Sequence, residues 1–308
     1  MTLTEFRIGC DVSKDWLDLY ETATRAASRI PNTAQAIAQL VARLPAGATV
    51  VFEATAPYDM LLRRALARAQ VRAIRVNPAR ARDFARYAGV LAKTDALDAR
   101  MLASLPETPD APQAPAFDAE REALTARHRR RDQLVEMRAE ERCRLAAETD
   151  ARLRKSLQSH IDWLDRAIEA IEAEIETALA SAAFASRARL LGSVKGVGPV
   201  TIATLMALLP ELGTRSGKAI AALAGLAPLN RDSGRMRGQR RIGGGRRRVR
   251  QALYMAALGA IRGIARFRQH YLAVKTRSGH AKVAIIAVAR KLLVTLNAML
   301  RTGEPFRA

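Results

Sequence analysis

The sequence predicts three parts: an α/β domain with a mixed sheet, a long helical section, and an all-α domain. Short strand-like runs alternate with helical periodicity up to about residue 103. Residues 118–180 contain neither Gly nor Pro. Beyond residue 250 the chain reads as two apolar helical runs. Between the first two parts, residues 104–117 carry Pro106, Pro109, Pro112 and Pro115. Each proline lacks a donor and restricts its predecessor, so this stretch predicts an extended linker. The predicted domains are therefore 1–103, the linker 104–117, the helical section 118–180 and the C-terminal domain 181–308.

In chain order, FRIGCDV (6–12) and WLDLYE (16–21) read as two strands of a hairpin around Ser13, Lys14 and Asp15. TAQAIAQLVARL (33–44) has helical periodicity, TVVFE (49–53) is a buried-type strand, and a helix follows Pro57 through Arg68. VRAIRVN (71–77) predicts another strand, then ARARDFARYA and DALDARMLASL two short helices. In the middle section Leu153, Leu157, Ile161, Leu164, Ile168, Ile171, Ile175 and Leu179 recur every three or four residues. That is a seam with coiled-coil spacing, suited equally to a hairpin within one subunit or to a subunit interface. RLLGSVKGVGPVTIATLMALLPEL (189–212) places Gly196 and Gly198 between two apolar runs, as in a helix-hairpin-helix. Such a corner can offer backbone amides to a phosphate, or simply turn the chain. GTRSGKA (213–219) is not a phosphate-binding P-loop, because its glycine spacing is one residue short and Ala219 stands where Ser or Thr is needed. QALYMAALGAIRGIARF and AKVAIIAVARKLLVTLNAMLR predict two apolar helices that close the chain.

The formal net charge is +21, and its distribution matters more than its total. Residues 1–103 carry 15 basic against 10 acidic residues, 104–180 carry 12 against 17, and 181–308 carry 24 against 3. A polyanion is the natural partner of such a C-terminal part. No long apolar segment or lipid-anchor motif favours a membrane, and MTLTEFRIGCDVSK is no signal peptide, so a cytoplasmic location is the expectation. Cys10 and Cys143 are the only cysteines, which argues against a disulfide framework or a zinc site. His128, His160, His270 and His280 are scattered without obvious acidic partners and read as surface or DNA-facing residues.

Two sets of residues point to chemistry. Asp11 and Glu53 end apolar strands, and Asp95 and Asp98 fall three apart in KTDALDAR, on one helix face. Crowded carboxylates repel unless a cation joins them, and Mg²⁺ takes such oxygen ligands and assists phosphoryl transfer. Each acid also has an ordinary reading, as a turn or helix cap or a first-turn helix acid. The second set is GLAPLNRDSGRMRGQRRIGGGRRRVR (225–250), with nine arginines from Arg231 to Arg250. Guanidinium groups there can grip several phosphates, and Ser233 among them is an alcohol that can attack phosphorus. The alternative is a basic loop that only binds nucleic acid. Arg231, Arg235, Arg237, Arg240, Arg241, Arg246, Arg247 and Arg248, with Gly196 and Gly198, are the candidate nucleic-acid contacts; Arg235, Arg237, Arg240 and Arg241 are those for the scissile phosphate.

DVSK (11–14), FEATAPYD (52–59), KTDALDAR (93–100), GVGPVTIATL, GLAPLNRDSGRMRG and RKLLVTLNAML, in this order, resemble the insertion-sequence transposases of the IS110 family, relatives of the Piv-type DNA invertases. The resemblance covers nearly the whole chain. It implies a ribonuclease-H/RuvC-like domain with a DEDD tetrad, a coiled-coil section, and a C-terminal domain with a serine nucleophile. Carried onto this chain, the tetrad falls on Asp11, Glu53, Asp95 and Asp98, and the nucleophile on Ser233. The implied cofactor is Mg²⁺ or Mn²⁺. The implied partners are donor and target DNA, a structured noncoding bridge RNA, and further copies of the chain as a dimer or tetramer, with the active site shared between subunits. The expected activity is DNA transposition or recombination through a phosphoserine link. The rival expectations are a RuvC-like metal-dependent nuclease, in which the tetrad activates water, and a non-catalytic nucleic-acid chaperone.

Overall fold

The computed structural model describes residues 6–89, 95–106, 117–229 and 241–307, with residues 95, 96 and 229 as backbone only. The chain divides into two compact units, Met1–Phe117 and Asp118–Ala308.

In the first unit, β1 (Arg7–Val12), β2 (Trp16–Glu21) and β3 (Ala27–Pro31) precede α1 (Ala34–Ala42) and β4 (Thr49–Glu53). Then come α2 (Met60–Arg68), β5 (Arg72–Val76), α3 (Pro78–Tyr87) and α4 (Asp95–Ser104). The sheet order is β3-β2-β1-β4-β5. The first three strands form an antiparallel meander, and β4 and β5 continue from β1 in parallel. This is the mixed α/β sheet of a ribonuclease-H-like fold. The alternation of side chains splits the sheet cleanly into two faces. Ile8, Cys10, Val12, Leu17, Leu19, Val50 and Phe52 are buried against Ile37 and Leu40 of α1 and Leu62 and Leu66 of α2. On the opposite face a Cβ at Gly9 would run into the α4 backbone, 2.5 Å from Ala103 N. There α4 lies on β1 without an intervening side chain, and Leu102 packs on Val51 and Val76.

Edge strand β3 is the one strand of this five-stranded sheet absent from the sequence-based expectation. Its residues ASRIP are almost wholly exposed, so it carries no hydrophobic pattern. It is held by backbone pairing to β2, and Pro31 is tolerated because an edge strand needs only one bonded side.

In the second unit, α5 (Ala119–Ala147) and α6 (Ala151–Leu179) form a helical hairpin. The polar stretch 118–180 is thus two helices, although it lacks Gly and Pro. The Glu148 carboxylate accepts bonds from the amides of Thr149 (2.7 Å) and Asp150 (2.8 Å). Asp150 then caps α6 by accepting from Arg152 N (2.7 Å) and Leu153 N (3.1 Å). Along the α6 seam Leu164 and Ile168 pack on Leu134 of α5, and Ile175 and Leu179 join the main core with Leu124. Leu153, at the corner, is 54% exposed.

The chain continues through α7 (Ala185–Gly192), α8 (Pro199–Leu208) and α9 (Gly217–Leu223) to a two-stranded ribbon, β6 (Pro228–Leu229) with β7 (Arg241–Ile242). Helices α10 (Arg247–Gly263), α11 (Ala265–Ser278) and α12 (Ala281–Thr302) complete it. The run 251–267, expected as one helix, breaks at Ile264, whose extended backbone (φ −133°, ψ 118°) ends α10 and starts α11. Contrary to the expectation of no long apolar segment, α12 is long and apolar enough to cross a membrane by length and composition. Here its stripe Ala284, Val288, Leu292, Leu293, Leu296 and Met299 is buried in the core of the unit.

Two histidines also depart from expectation. His128 is 3% exposed, with Nε2 2.7 Å from Thr204 Oγ1 and Nδ1 3.4 Å from Asp132. Burial pushes its pKa below the ordinary value, the charges of Arg248 and Arg131 push the same way, and Asp132 opposes them. His160 Nδ1 lies 3.2 Å from Glu141. Both therefore have an acidic partner: Asp132 stands four residues after His128 on the same helix, and Glu141 comes to His160 from the other arm of the hairpin.

Candidate functional sites: an acidic sheet face and an arginine-rich ribbon

Asp11 and Glu53 are brought together by strand register. In the parallel β1–β4 pair the last register partners are Cys10 and Phe52, so Asp11 and Glu53 occupy the next position on adjacent strands. Both are half-buried and on the face that carries Gly9 and α4. Asp98, also half-buried, lies on α4 one residue before Ala99, whose carbonyl oxygen meets Gly9. Asp95 is the first residue of α4, and its side chain lies outside the described residues. Among the described residues, no group of three or more His, Cys, Asp or Glu stands close enough to hold a metal ion. The donor pair that the sheet supplies is Asp11 with Glu53, and its hard carboxylate oxygens at neighbouring positions suit a divalent cation.

Asp18, not singled out by its sequence, belongs to the same face. It is the antiparallel partner of Asp11 and is 8% exposed. Like charges directly across a strand pair destabilise it. Arg29 on β3 relieves this with a two-pronged bond to Asp18, at 2.8 and 3.0 Å. The signal in the sequence was the alternation in WLDLYE, where Leu17 and Leu19 point to the core and Asp18 to the other face. Cys10, whose thiol points into the core, is driven up in pKa by burial, and by Asp11 and Asp18 in addition, which leaves it an inert thiol.

Ser233, with Arg231, Arg235, Arg237 and Arg240, falls in residues 230–240, outside the described residues. The flanking chain is described: Leu229 pairs with Arg241 and Pro228 with Ile242, so the segment leaves and re-enters the fold at one place. The base of this ribbon is held tightly. A Cβ on Gly245 would come within 2.6 Å of Gly225 Cα, and both glycines have positive φ (61° and 67°). Only glycine allows that backbone contact. Arg246 forks onto Glu211 at 2.5 and 2.7 Å, and Arg250 Nη1 donates to Gly244 O at 2.7 Å. Burial raises the Glu211 pKa, but the Arg246 bonds and charge outweigh it and hold the carboxyl below its ordinary value.

The remaining candidate contacts divide. Arg241 and Arg247 are exposed. Arg248 donates from Nε to Asp132 (2.8 Å). The guanidinium of Arg246 is engaged by Glu211. Gly196 (φ 99°) faces α10 rather than solvent, since a Cβ there would lie 2.7 Å from Gly259 C and 2.9 Å from Ala256 O. Gly198, the residue before α8, has open space on its Cβ side. Arg127 and Arg131 of α5 pair with Glu174 (3.1 Å) and Glu172 (2.8 Å).

Comparison with known proteins agrees with this layout. A family model of the DEDD transposases of IS110 matches residues 8–151, and one described as the transposase IS116/IS110/IS902 family matches residues 188–272. A protein of insertion element IS116 from Streptomyces clavuligerus is 35% identical over 122 residues, 39% of this chain and 31% of the relative. A protein of IS900 from Mycobacterium paratuberculosis is 34% identical over 160 residues, 51% of this chain and 38% of the relative. The pilin gene-inverting protein of Moraxella lacunata is 29% identical over 241 residues, 75% of this chain and 73% of the relative. The chain thus spans well under half of the two insertion-element relatives and about three quarters of the invertase. The first family model contains the acidic sheet face and the second contains the ribbon, in the same order along the chain. The chain belongs to the IS110 family of transposases.

Proposed function

We propose that this protein cuts and rejoins DNA as a transposase or recombinase, with Ser233 as the nucleophile and Asp11, Glu53, Asp95 and Asp98 as the acidic set that assists. The supporting observation is the ribbon: β6 and β7 bring both ends of the Ser233 segment to one clamped point, amid the densest cationic sequence in the chain. The pilin gene-inverting relatives support the same class of reaction, because inversion is also an exchange of DNA strands.

In the proposed step, Ser233 Oγ forms a bond to phosphorus and the bond from phosphorus to one strand oxygen breaks. The leaving oxygen takes up a proton. Attack by a strand hydroxyl on the phosphoserine later restores Ser233 and rejoins the DNA, so the ester keeps the bond energy. Arg235, Arg237, Arg240 and Arg241 are assigned to the charge that grows on the phosphoryl oxygens. Asp11 and Glu53, with Asp95 and Asp98, would hold Mg²⁺ or Mn²⁺. The ion when bound supplies Lewis-acid stabilisation of the phosphoryl oxygens. A bridge RNA pairing with donor and target DNA, and a dimer or tetramer in which subunits share the active site, complete the proposal.

The test is incubation with Mg²⁺, labelled junction DNA and candidate RNA, followed by a denaturing gel and peptide mapping of any DNA-linked band. A covalent adduct on Ser233, lost in S233A together with cleavage, is the expected result. Cleavage that persists in S233A without an adduct supports the nuclease instead.

A further inference from the structure

Helix α3 does little for the core. Of its ten residues PARARDFARY none is buried, and its hydrophobic contribution is Ala81, partly buried on the cluster of Val51, Val76 and Leu102. Its outer surface has a definite chemistry. Arg80, Arg82 and Arg86 are exposed, against a single acid, Asp83. Arg86 reaches Asp83 only at 3.8 Å with both side chains about three-quarters exposed, an arrangement that contributes little. At the end of the helix the ring of Tyr87 leans on Phe84, with centroids 6.5 Å apart and planes 27° from parallel. Tyr87 is nonetheless 88% exposed. A large aromatic ring backed by a second ring, open on its other side and flanked by arginines, lacks a folding role.

The place of this helix is equally specific. β5 ends at Val76, the register partner of Glu53. Asn77 caps α3 by accepting from Ala79 N at 2.8 Å, so only that one residue separates the helix from the strand end that pairs with Glu53. Ala81 and Leu102 share one cluster, which sets α3 beside α4 on the acidic side of the sheet.

We propose that α3 is a stacking platform for an unpaired nucleotide of the DNA strand that the acidic face serves, held about one helix length from the acids. A base stacks on the outer face of Tyr87, and Arg80, Arg82 and Arg86 contact the flanking phosphates. Stacking tolerates any base, because each has a π-face, and the arginines follow the backbone without reading sequence. Charge complementarity selects a polyanion, the open ring selects one with unpaired bases, and the neighbouring acids select the strand to be cut. That last step rests on the DNA-recombinase reading above.

The test uses the full chain carrying S233A, so that binding is read without chemistry, and a forked DNA with 2-aminopurine at the unpaired position. Stacking on Tyr87 quenches the probe. Tyr87→Ala is expected to abolish the quench and weaken binding of the unpaired strand about 5- to 100-fold. Tyr87→Phe keeps a ring and is expected to stay within about twofold. Changing Arg80, Arg82 and Arg86 to Gln together is expected to reduce the salt slope by about 2 for a single strand. An iodouracil at the same position should crosslink to Tyr87 and be found there by peptide mapping. A quench unchanged in Tyr87→Ala overturns the proposal. So does a loss confined to RNA of the same sequence, or a change in oligomeric mass in Tyr87→Ala, which would make α3 a contact between copies. If wild type forms no serine adduct while the Tyr87-dependent quench persists, the nucleophile assignment fails and the platform stands.

Discussion

Gly196 and Gly198, two residues apart in one motif, have different duties. Gly196 has a left-handed backbone and its missing side chain makes room for α10, whereas Gly198 (φ −87°) faces open space. Gly196→Ala combines backbone strain with a clash against helix backbone. It should cost about 3 kcal/mol or more of stability in urea unfolding. Gly198→Ala should cost less than about 1 kcal/mol. Burial holds the pKa of His128 below its ordinary value of 6.5. As pH falls past 6.5 the unfolded chain therefore takes up this proton more readily than the folded one, and stability falls with it. The contribution is complete above that pH. In His128→Gln the fall in unfolding midpoint between pH 7.5 and 5.5 should be shallower than in wild type. At this scale the sequence displayed Asp11 and Glu53 because they end apolar strands. It hid the pairing of Asp18 with Arg29 and of His128 with Thr204, since partners many positions away leave no local pattern. Asp132, four residues after His128 on α5, stood at helical spacing and was missed.

Among the elements, those with a clear apolar pattern were legible: the four strands β1, β2, β4 and β5, the helices around them, and the α6 seam. β3 was not, because edge pairing is made by backbone. The corner at residues 148–150 was not either, because Glu148 and Asp150 turn the chain with carboxylates in place of glycine. The seam itself is used unevenly. Leu164 is fully buried between α6 and α5, while Leu153 is 54% exposed at the corner. Leu164→Ala should destabilise the second unit by about 2–5 kcal/mol, and Leu153→Ala by less than about 0.5 kcal/mol, in chemical denaturation. An equal loss at both would mean that the corner is covered by something beyond this chain. The ribbon was invisible as structure, since two residues in each strand are too few to carry a period, although its arginines and glycines marked the place.

Across the molecule, the acidic set and the cationic excess are separated along the chain. Residues 181–308 hold 24 basic and 3 acidic residues, and of those acids Glu211 is bonded to Arg246 and Glu304 to Arg307. Their cations outnumber any internal counter-charge, so affinity for DNA should reside largely there and fall steeply with salt. Chelation of divalent ions by EDTA should therefore abolish DNA cleavage, while leaving affinity in a filter-binding assay within about threefold. Loss of both together would place the ion in binding rather than in chemistry.

The contact at Gly9 extends this separation to engineering. Because α4 touches the β1 backbone there, even one methyl group at position 9 must lift the helix that bears Asp95 and Asp98. On the proposed function, a silent-looking Gly9→Ala would then end DNA cleavage with every carboxylate and Ser233 in place, yielding a scaffold that still grips DNA and never opens it.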